Sequence, residues 1–350
     1  MHGSGAPSCR SQRASTQWSF DMNHELLPFP TPSSGLQPLI ENAQSFISNA
    51  RSEATKRQYD ASWTDFSAWA EALGLTALPA EPATVALFIA DRSSLAASTL
   101  AGRVSAINYM HRTHGYPDSP ASRRHVVVRE TLKGVLRAIG AKRRQHGKDP
   151  LQSDDVRRVL AACGQNVTGV RSRCLLLVLF GGALRRSEAA ALEIRDVTFV
   201  PEGAILEIRQ SKAQEPGTGY QIPLPCGTNE DTCVVTALRR WLDVLRGQFG
   251  PQVSGPLFRA VSASGWISRR ELNKDSVGWL IKTLARKAGL DPDPLGAHSC
   301  RSGHITQAIR SGVPEAIVML QSRRKNVAVF RKYVRRGKLF AHTSAAALGM

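Results

Sequence analysis

The chain is short of acid. Its 28 aspartates and glutamates face 46 lysines and arginines, which leaves a formal net charge of +18 over 350 residues. A deficit of that size predicts attraction to a polyanion and points first to nucleic acid. Cysteine is sparse, and Cys9, Cys163, Cys174, Cys226, Cys233 and Cys300 include no C-x-x-C pair. No zinc-ligand spacing follows from them, so reduced thiols in a cytosolic protein and no metal are expected. Long apolar runs are missing as well. The longest, Cys174 to Phe180, falls far short of the roughly 20 residues that span a bilayer. The opening stretch MHGSGAPSCRSQRASTQ lacks the apolar core of a signal peptide. A soluble protein with no membrane target is therefore expected. No G-x-x-x-x-G-K-[ST] loop is present, and GVLRAIGAK at 134–142 has the wrong spacing and lacks the Ser or Thr. No ATP and no other cofactor is expected.

What is present is enough for two domains. The length exceeds one ordinary domain, and a 42% hydrophobic content can build cores. Residues 1–42, rich in Ser, Pro and Gly, are expected to form a flexible tail. Tyr59, Trp63, Phe66 and Ala70 then lie on one helical stripe, which Gly74 ends. Further helices are expected from Pro82, over about 98–112 and over about 126–141, giving an all-helical domain over 43–143. The basic stretch 144–152 is expected to be an interdomain linker. Lys142, Arg143 and Arg144, at its edge, are candidates to lie on DNA backbone.

The second domain is expected over 153–350. A helix begins near Ser153, an N-cap type followed by two aspartates, and a buried helix covers SRCLLLVLFGG. Another begins near Ser187. DVTFVPEGAILEIRQSK alternates about a Pro-Glu-Gly turn, as a β-hairpin does, and GYQIPLP resembles a third strand. From Cys233 onward the pattern is helical again. The fold class is thus mainly α with a small β-sheet.

The chemistry concentrates in a few positions. His298 and Arg301 stand at i and i+3, on one face of a helix. Tyr333 follows in FRKYVRRG. Arg185 lies in GGALRRSEAAAL, and Lys212 in the turn QSKAQEPGTG. Transesterification at a phosphodiester needs positive donors around the phosphate, a nucleophile, and an acid for the leaving oxygen. Arginine supplies a planar fork that keeps its proton. Tyr333 can serve as nucleophile, Lys212 as acid, and Arg185 with Arg301 as phosphate clamp. His298 can bond the phosphate or help accept the tyrosine proton. A tyrosine pKa near 10 needs the positive field these groups provide. Tyr59 and Tyr109 sit on apolar stripes, Tyr116 precedes Pro117 and Tyr220 opens a strand, so all four fit worse. His304 is expected to be structural.

GALRRSE, a lysine in a hairpin turn, H-x-x-R and a terminal Y-x-R occur in the order of the tyrosine recombinases, the phage integrase family. The chain resembles the Cre-like members in length and layout, and T-x-x-x-Y-x-x-x-W-x-x-F at 55–66 resembles their core-binding domain. The resemblance covers about residues 43–340, and four motifs in one order make it specific. It implies a helical core-binding domain and a mixed α/β catalytic domain that together form a C-shaped DNA clamp. It implies a site-specific recombinase that cleaves and rejoins DNA through a 3′-phosphotyrosine. By resemblance Arg185 and Arg301 are the two family arginines, Lys212 the hairpin lysine, His298 the histidine of H-x-x-R, and Tyr333 the nucleophile. Glu188 matches an acidic position that orients the basic cluster. Double-stranded DNA with inverted-repeat half-sites, a homotetramer on two DNA sites and a Holliday junction intermediate are implied, as is a cytoplasmic, nucleoid-associated location. FAHTSAAALGM at the C-terminus corresponds to a segment that docks on a neighbouring protomer.

Arg324 departs from the pattern. Nine residues before the nucleophile the family usually has His or Trp, which donates to the phosphate and packs on the tyrosine helix. Arginine keeps the donor and loses the packing, so weakened cleavage with intact DNA binding is expected. Two alternatives stand beside the recombinase: a catalytically weakened integrase-like DNA-binding protein, and a type IB topoisomerase. A metal-dependent nuclease would need clustered carboxylates, and the constellation holds only Glu188.

Overall fold

Ser52 is the first clear start signal in the three-dimensional structure. Its hydroxyl accepts from Thr55 N at 3.3 Å and caps a long helix. The computed structural model describes residues 36–142, 148–209 and 219–337. They divide into two compact units, one ending at Gln145 and one beginning at His146.

Every regular element among the described residues of the first unit is a helix: α1 (Gln37–Asn49), α2 (Glu53–Ala72), α3 (Pro82–Asp91), α4 (Ala97–Thr113) and α5 (Val126–Lys142). α1 starts inside the stretch expected to be tail. Pro38 in its first turn is pre-set for helix, and Gln37 Nε2 bonds Glu41 Oε1 one turn on at 3.1 Å. The expected stripe holds, since Trp63, Phe66 and Ala70 are the buried apolar face of α2. Phe66 meets Phe88 of α3 edge-on, with ring centroids 5.1 Å apart, and Leu100, Val104 and Ile107 of α4 complete the core with Val128 and Leu132 of α5. His111 is fully buried and wired at both nitrogens. Nδ1 donates to Ile107 O at 2.8 Å, and Nε2 accepts from Ala80 N at 2.9 Å.

The second unit opens with α6 (Ser153–Ala161), α7 (Val167–Gly181) and α8 (Arg186–Ala190). Ser153 was the expected cap of α6, but Gln152 takes that place. The Asp155 carboxylate accepts from Gln152 N at 3.2 Å, so the acid in the first turn does the capping. α7 is buried from Cys174 to Leu179 and forms the spine of the core. A 3-10 turn (Ile194–Asp196) leads to an antiparallel sheet of β1 (Val197–Val200), β2 (Gly203–Ile208) and β3 (Tyr220–Pro225), in spatial order β1-β2-β3. The register pairs Leu206 with Val197 on one side and Ile222 on the other. α9 (Val234–Phe249) follows, with Trp241 fully buried and its Nε1 donating to Leu257 O at 2.8 Å.

The continuous helical pattern expected after Cys233 is interrupted. β4 (Arg259–Val261) and β5 (Ile267–Glu271) form a second antiparallel pair. β4 has three residues and β5 exposes Arg269, Arg270 and Glu271, which leaves almost no apolar alternation to read. α10 (Lys274–Lys287), α11 (Ala297–Arg310), α12 (Glu315–Gln321) and α13 (Val327–Gly337) complete the described chain. The last three share a small core of Ile305, Ile309, Val318 and Phe330, with Tyr333 packed against it.

The stretch expected as linker ends inside this unit. Leu151 is fully buried and its N–H bonds Ser299 O at 3.0 Å, while Asp149 N bonds Pro294 O at 2.8 Å. Gly303 of α11 lies directly beneath: a Cβ there would fall 1.9 Å from Leu151 O. Burial of one leucine is what draws 148–152 off the surface and onto α11.

Candidate active site

Two tight turns and two helices bring the arginines together. The α7–α8 turn passes through Ala183 in the left-handed region, φ +46°, and delivers Arg185 at the start of α8. There Arg185 N donates to Glu188 Oε2 at 2.8 Å, and Arg185 Nη1 forms an ion pair with Glu188 Oε1. The α12–α13 turn passes through Arg323, also left-handed at φ +50°, and delivers Arg324. α11 carries His298 and Arg301, and α13 carries Tyr333.

The two turns are tied to each other. Arg301 is 1% exposed, and its guanidinium donates to Ala183 O with Nη1 and to Ser322 O with Nη2. Each of those nitrogens carries a second N–H, so donor capacity remains. Arg323 Nη2 donates to Ala183 O at 3.1 Å and to Glu188 Oε2 at 2.8 Å, and Arg323 Nη1 donates to Gln321 O at 2.8 Å. Arg185 Nη2 reaches back to Arg323 O at 3.4 Å. Arg323 was not a candidate from sequence. Its only signal there was a second arginine beside Arg324, and nothing local says which of an arginine pair turns inward.

The Tyr333 hydroxyl sits at the open side of this arrangement. His298 Nε2 lies 3.1 Å from Tyr333 Oη, and Arg324 Nη2 donates to the same oxygen at 2.9 Å. The Arg324 guanidinium also stacks on the ring, 4.5 Å from its centroid. An oxygen that accepts from Arg324 keeps its own proton to give to an unprotonated Nε2.

Electrostatics agrees with that assignment. Burial, followed by the charges of Arg324, Arg301 and Arg185, holds His298 below the usual histidine range, so its imidazole is neutral at pH 7. Burial raises the Glu188 carboxyl, but the charges of Arg323 and Arg185 and the bonds from Arg185 outweigh it, and the net shift is downward. Burial, with Arg185 and Arg323 nearby, pushes Arg301 down to about 9, still protonated at neutral pH. Glu188 thus neutralises one of four neighbouring guanidinium groups, those of Arg185, Arg301, Arg323 and Arg324. The remaining positive charge faces Tyr333, and its chemistry suits a phosphate.

Of the residues singled out in the sequence, Arg185, Glu188, His298, Arg301, Arg324 and Tyr333 are brought into this one cluster. Lys212, Arg143, Arg144 and the segment FAHTSAAALGM lie outside the described residues, as does the side chain of Lys142 at the end of α5. His304 packs edge-on against Phe180 at 6.0 Å, away from the tyrosine hydroxyl's partners, and burial lowers its pKa. Among the described residues no cluster of three or more His, Cys, Asp or Glu can hold a metal ion, and no helix is long and apolar enough to cross a membrane.

The sequence model of the phage integrase family matches residues 150–338, within the second unit. A curated relative, the integrase/recombinase xerD homolog of Selenomonas ruminantium, is 30% identical over 300 residues, covering 85% of this chain and 86% of its own. Among solved structures, the XerH site-specific recombinase bound to palindromic difH substrate, a post-cleavage complex, aligns with a TM-score of 0.56. It is 16% identical and covers 77% of this chain and 73% of its own. A lambda integrase dimer bound to a COC' core site aligns with a TM-score of 0.53 at 14% identity, covering 85% and 77%. Both structures show a shared fold.

Proposed function

The chain belongs to the phage integrase family and is a tyrosine-type site-specific DNA recombinase, and from that premise we propose that Tyr333 is its nucleophile. The observation that carries this is the placement of Tyr333 Oη within hydrogen-bond distance of both a neutral histidine and an arginine. Tyr333 Oη attacks the scissile phosphorus while its proton passes to His298 Nε2. A phosphotyrosine bond to the 3′ side forms, the bond to the 5′ oxygen breaks, and Lys212 protonates that oxygen as it leaves. Lys212 holds this role by its place between β2 and β3 in the sequence. Arg185, Arg301 and Arg324 stabilise the charge that grows on the phosphate oxygens. Glu188 holds Arg185 in place. The ester stores the energy of the broken bond, so rejoining needs no ATP and no metal.

Double-stranded DNA is the partner. We place inverted-repeat half-sites, a homotetramer acting on two sites through a Holliday junction, and a cytoplasmic, nucleoid-associated location within the same proposal. In the first unit, Arg51, Ser105, Asn108 and Arg112 line one groove, with Arg51 stacked 4.0 Å from the Tyr109 ring centre. Cations and an amide side by side suit phosphate contact and base readout.

Covalent capture tests the nucleophile. The protein is mixed with a pool of nicked duplexes carrying randomised half-sites and then denatured, and attached DNA is sequenced. Attached DNA that disappears with Tyr333→Phe is the expected result. Binding enrichment without any covalent product would instead leave a DNA-binding protein without the cleavage step.

A further inference from the structure

Arg323 makes four side-chain hydrogen bonds within the cluster, yet the proposed chemistry gives it no part. It is 4% exposed, and no phosphate at the Tyr333 hydroxyl needs to reach it. Its contacts instead fall on the backbone of both turns and on the carboxylate that holds Arg185. Nη1 bonds Gln321 O at 2.8 Å and Gly182 O at 3.3 Å, and Nη2 bonds Ala183 O at 3.1 Å and Glu188 Oε2 at 2.8 Å. The main chain of Arg323 is itself the acceptor of Arg185 Nη2. Its own left-handed backbone, φ +50°, is what turns this side chain inward while its neighbour Arg324 faces Tyr333. A β-carbon residue in that region is costly unless its surroundings hold it there, and four side-chain bonds do so.

We propose that Arg323 is a positioning residue, which locks the α7–α8 turn to the α12–α13 turn through Glu188 and the carbonyls of Gly182 and Ala183, and so sets the distance between Arg185 and Arg324 across the phosphate site. The inference rests on the proposed role of Tyr333. A fork is required because one point charge cannot span a carboxylate and two carbonyls on the neighbouring turn. The shared carbonyl of Ala183, which also accepts from Arg301, makes the lock common to two arginines.

The test uses the full chain and a duplex recovered by covalent capture. Three quantities are measured together: single-turnover cleavage rate, DNA Kd, and thermal midpoint. Arg323→Lys keeps a cation beside Glu188 and removes the fork. The expected result is cleavage slowed by roughly 10- to 100-fold, as for a small misplacement of reacting groups, with Kd unchanged. The variant Arg323→Met removes the fork and its charge at similar volume, while Glu188 keeps its ion pair with Arg185. It is expected to bind DNA and to cleave as slowly as Arg323→Lys, or more slowly. Wild-type cleavage by either variant overturns the inference alone. A parallel loss of thermal midpoint, DNA affinity (a raised Kd) and rate in both variants overturns it too, by making Arg323 merely structural. Absence of covalent product from the unmodified chain overturns the role of Tyr333 first, and the inference with it.

Discussion

Arg324 both donates to the Tyr333 hydroxyl, at 2.9 Å, and lies over the Tyr333 ring, 4.5 Å from its centre. In a position where the resemblance led to His or Trp being expected, an arginine thus makes two contacts with the candidate nucleophile. The ring contact is made by a guanidinium face, which stacks on an aromatic ring as an ammonium cannot.

Arg324→Ala is therefore expected to slow cleavage by about 10- to 1,000-fold, the range for loss of one preorganised donor, with DNA Kd changed far less. Arg324→Lys should recover part of the rate through its charge. Arg324→Trp decides between two views of the position. A rate above that of the unmodified chain would mean that Arg324 weakens cleavage; an equal or lower rate would rule that out.

His298 is held below the ordinary histidine pKa by burial and by Arg324, Arg301 and Arg185, so as a proton acceptor it is already competent at pH 7. Single-turnover cleavage should be flat in this group's titration above pH 6.5 and should fall as the pH drops through its lowered pKa. In Arg324→Ala the largest of the neighbouring charges is gone, and the fall should move to higher pH. An unshifted profile in that variant would remove His298 from the role of acceptor.

Burial likewise lowers His111 in the first unit, where Nε2 must stay unprotonated to accept from Ala80 N. The unfolded chain binds this proton near pH 6.5, and the folded chain binds it only at lower pH. Stability is thus full above about 6.5 and declines as pH falls through the interval between the two values. The thermal midpoint of this unit should drop from pH 7 toward pH 5, with a smaller slope in His111→Gln. An equal slope would assign the acid sensitivity elsewhere. His111→Leu, which leaves the buried Ala80 N–H without an acceptor, should cost about 1–3 kcal/mol at pH 7.

Gly303→Ala should destabilise the second unit by about 3 kcal/mol, because its new carbon would meet Leu151 O at 1.9 Å and push residues 148–152 off α11. Chemical denaturation monitored at Trp241, buried in that unit, measures it. A change below about 0.5 kcal/mol would mean that the segment carrying Leu151 is free to shift.

How much of this was legible in the chain differs from element to element. The Trp63–Phe66–Ala70 stripe, the apolar run of α7 and the hairpin about Pro201-Glu202-Gly203 follow from periodicity, because side-chain direction repeats with the backbone. The pair β4–β5 did not, because three residues and an exposed polar strand carry no period. His298 and Arg301 shared a helix and so a face, which spacing alone determines. The net charge, the order of the motifs and the candidate nucleophile were equally matters of sequence.

What tertiary structure alone decided is the pairing of groups far apart in the chain. Arg323 and Glu188 are 135 residues apart, and their 2.8 Å contact exists only because α11 places two turns side by side. Two adjacent arginines, Arg323 and Arg324, are alike in composition, charge and local propensity. One is buried against a carboxylate and the other meets the tyrosine, and the left-handed turn between α12 and α13 separates them. Backbone direction at that turn is held by contacts with a distant loop, and such contacts leave no periodic trace in the sequence.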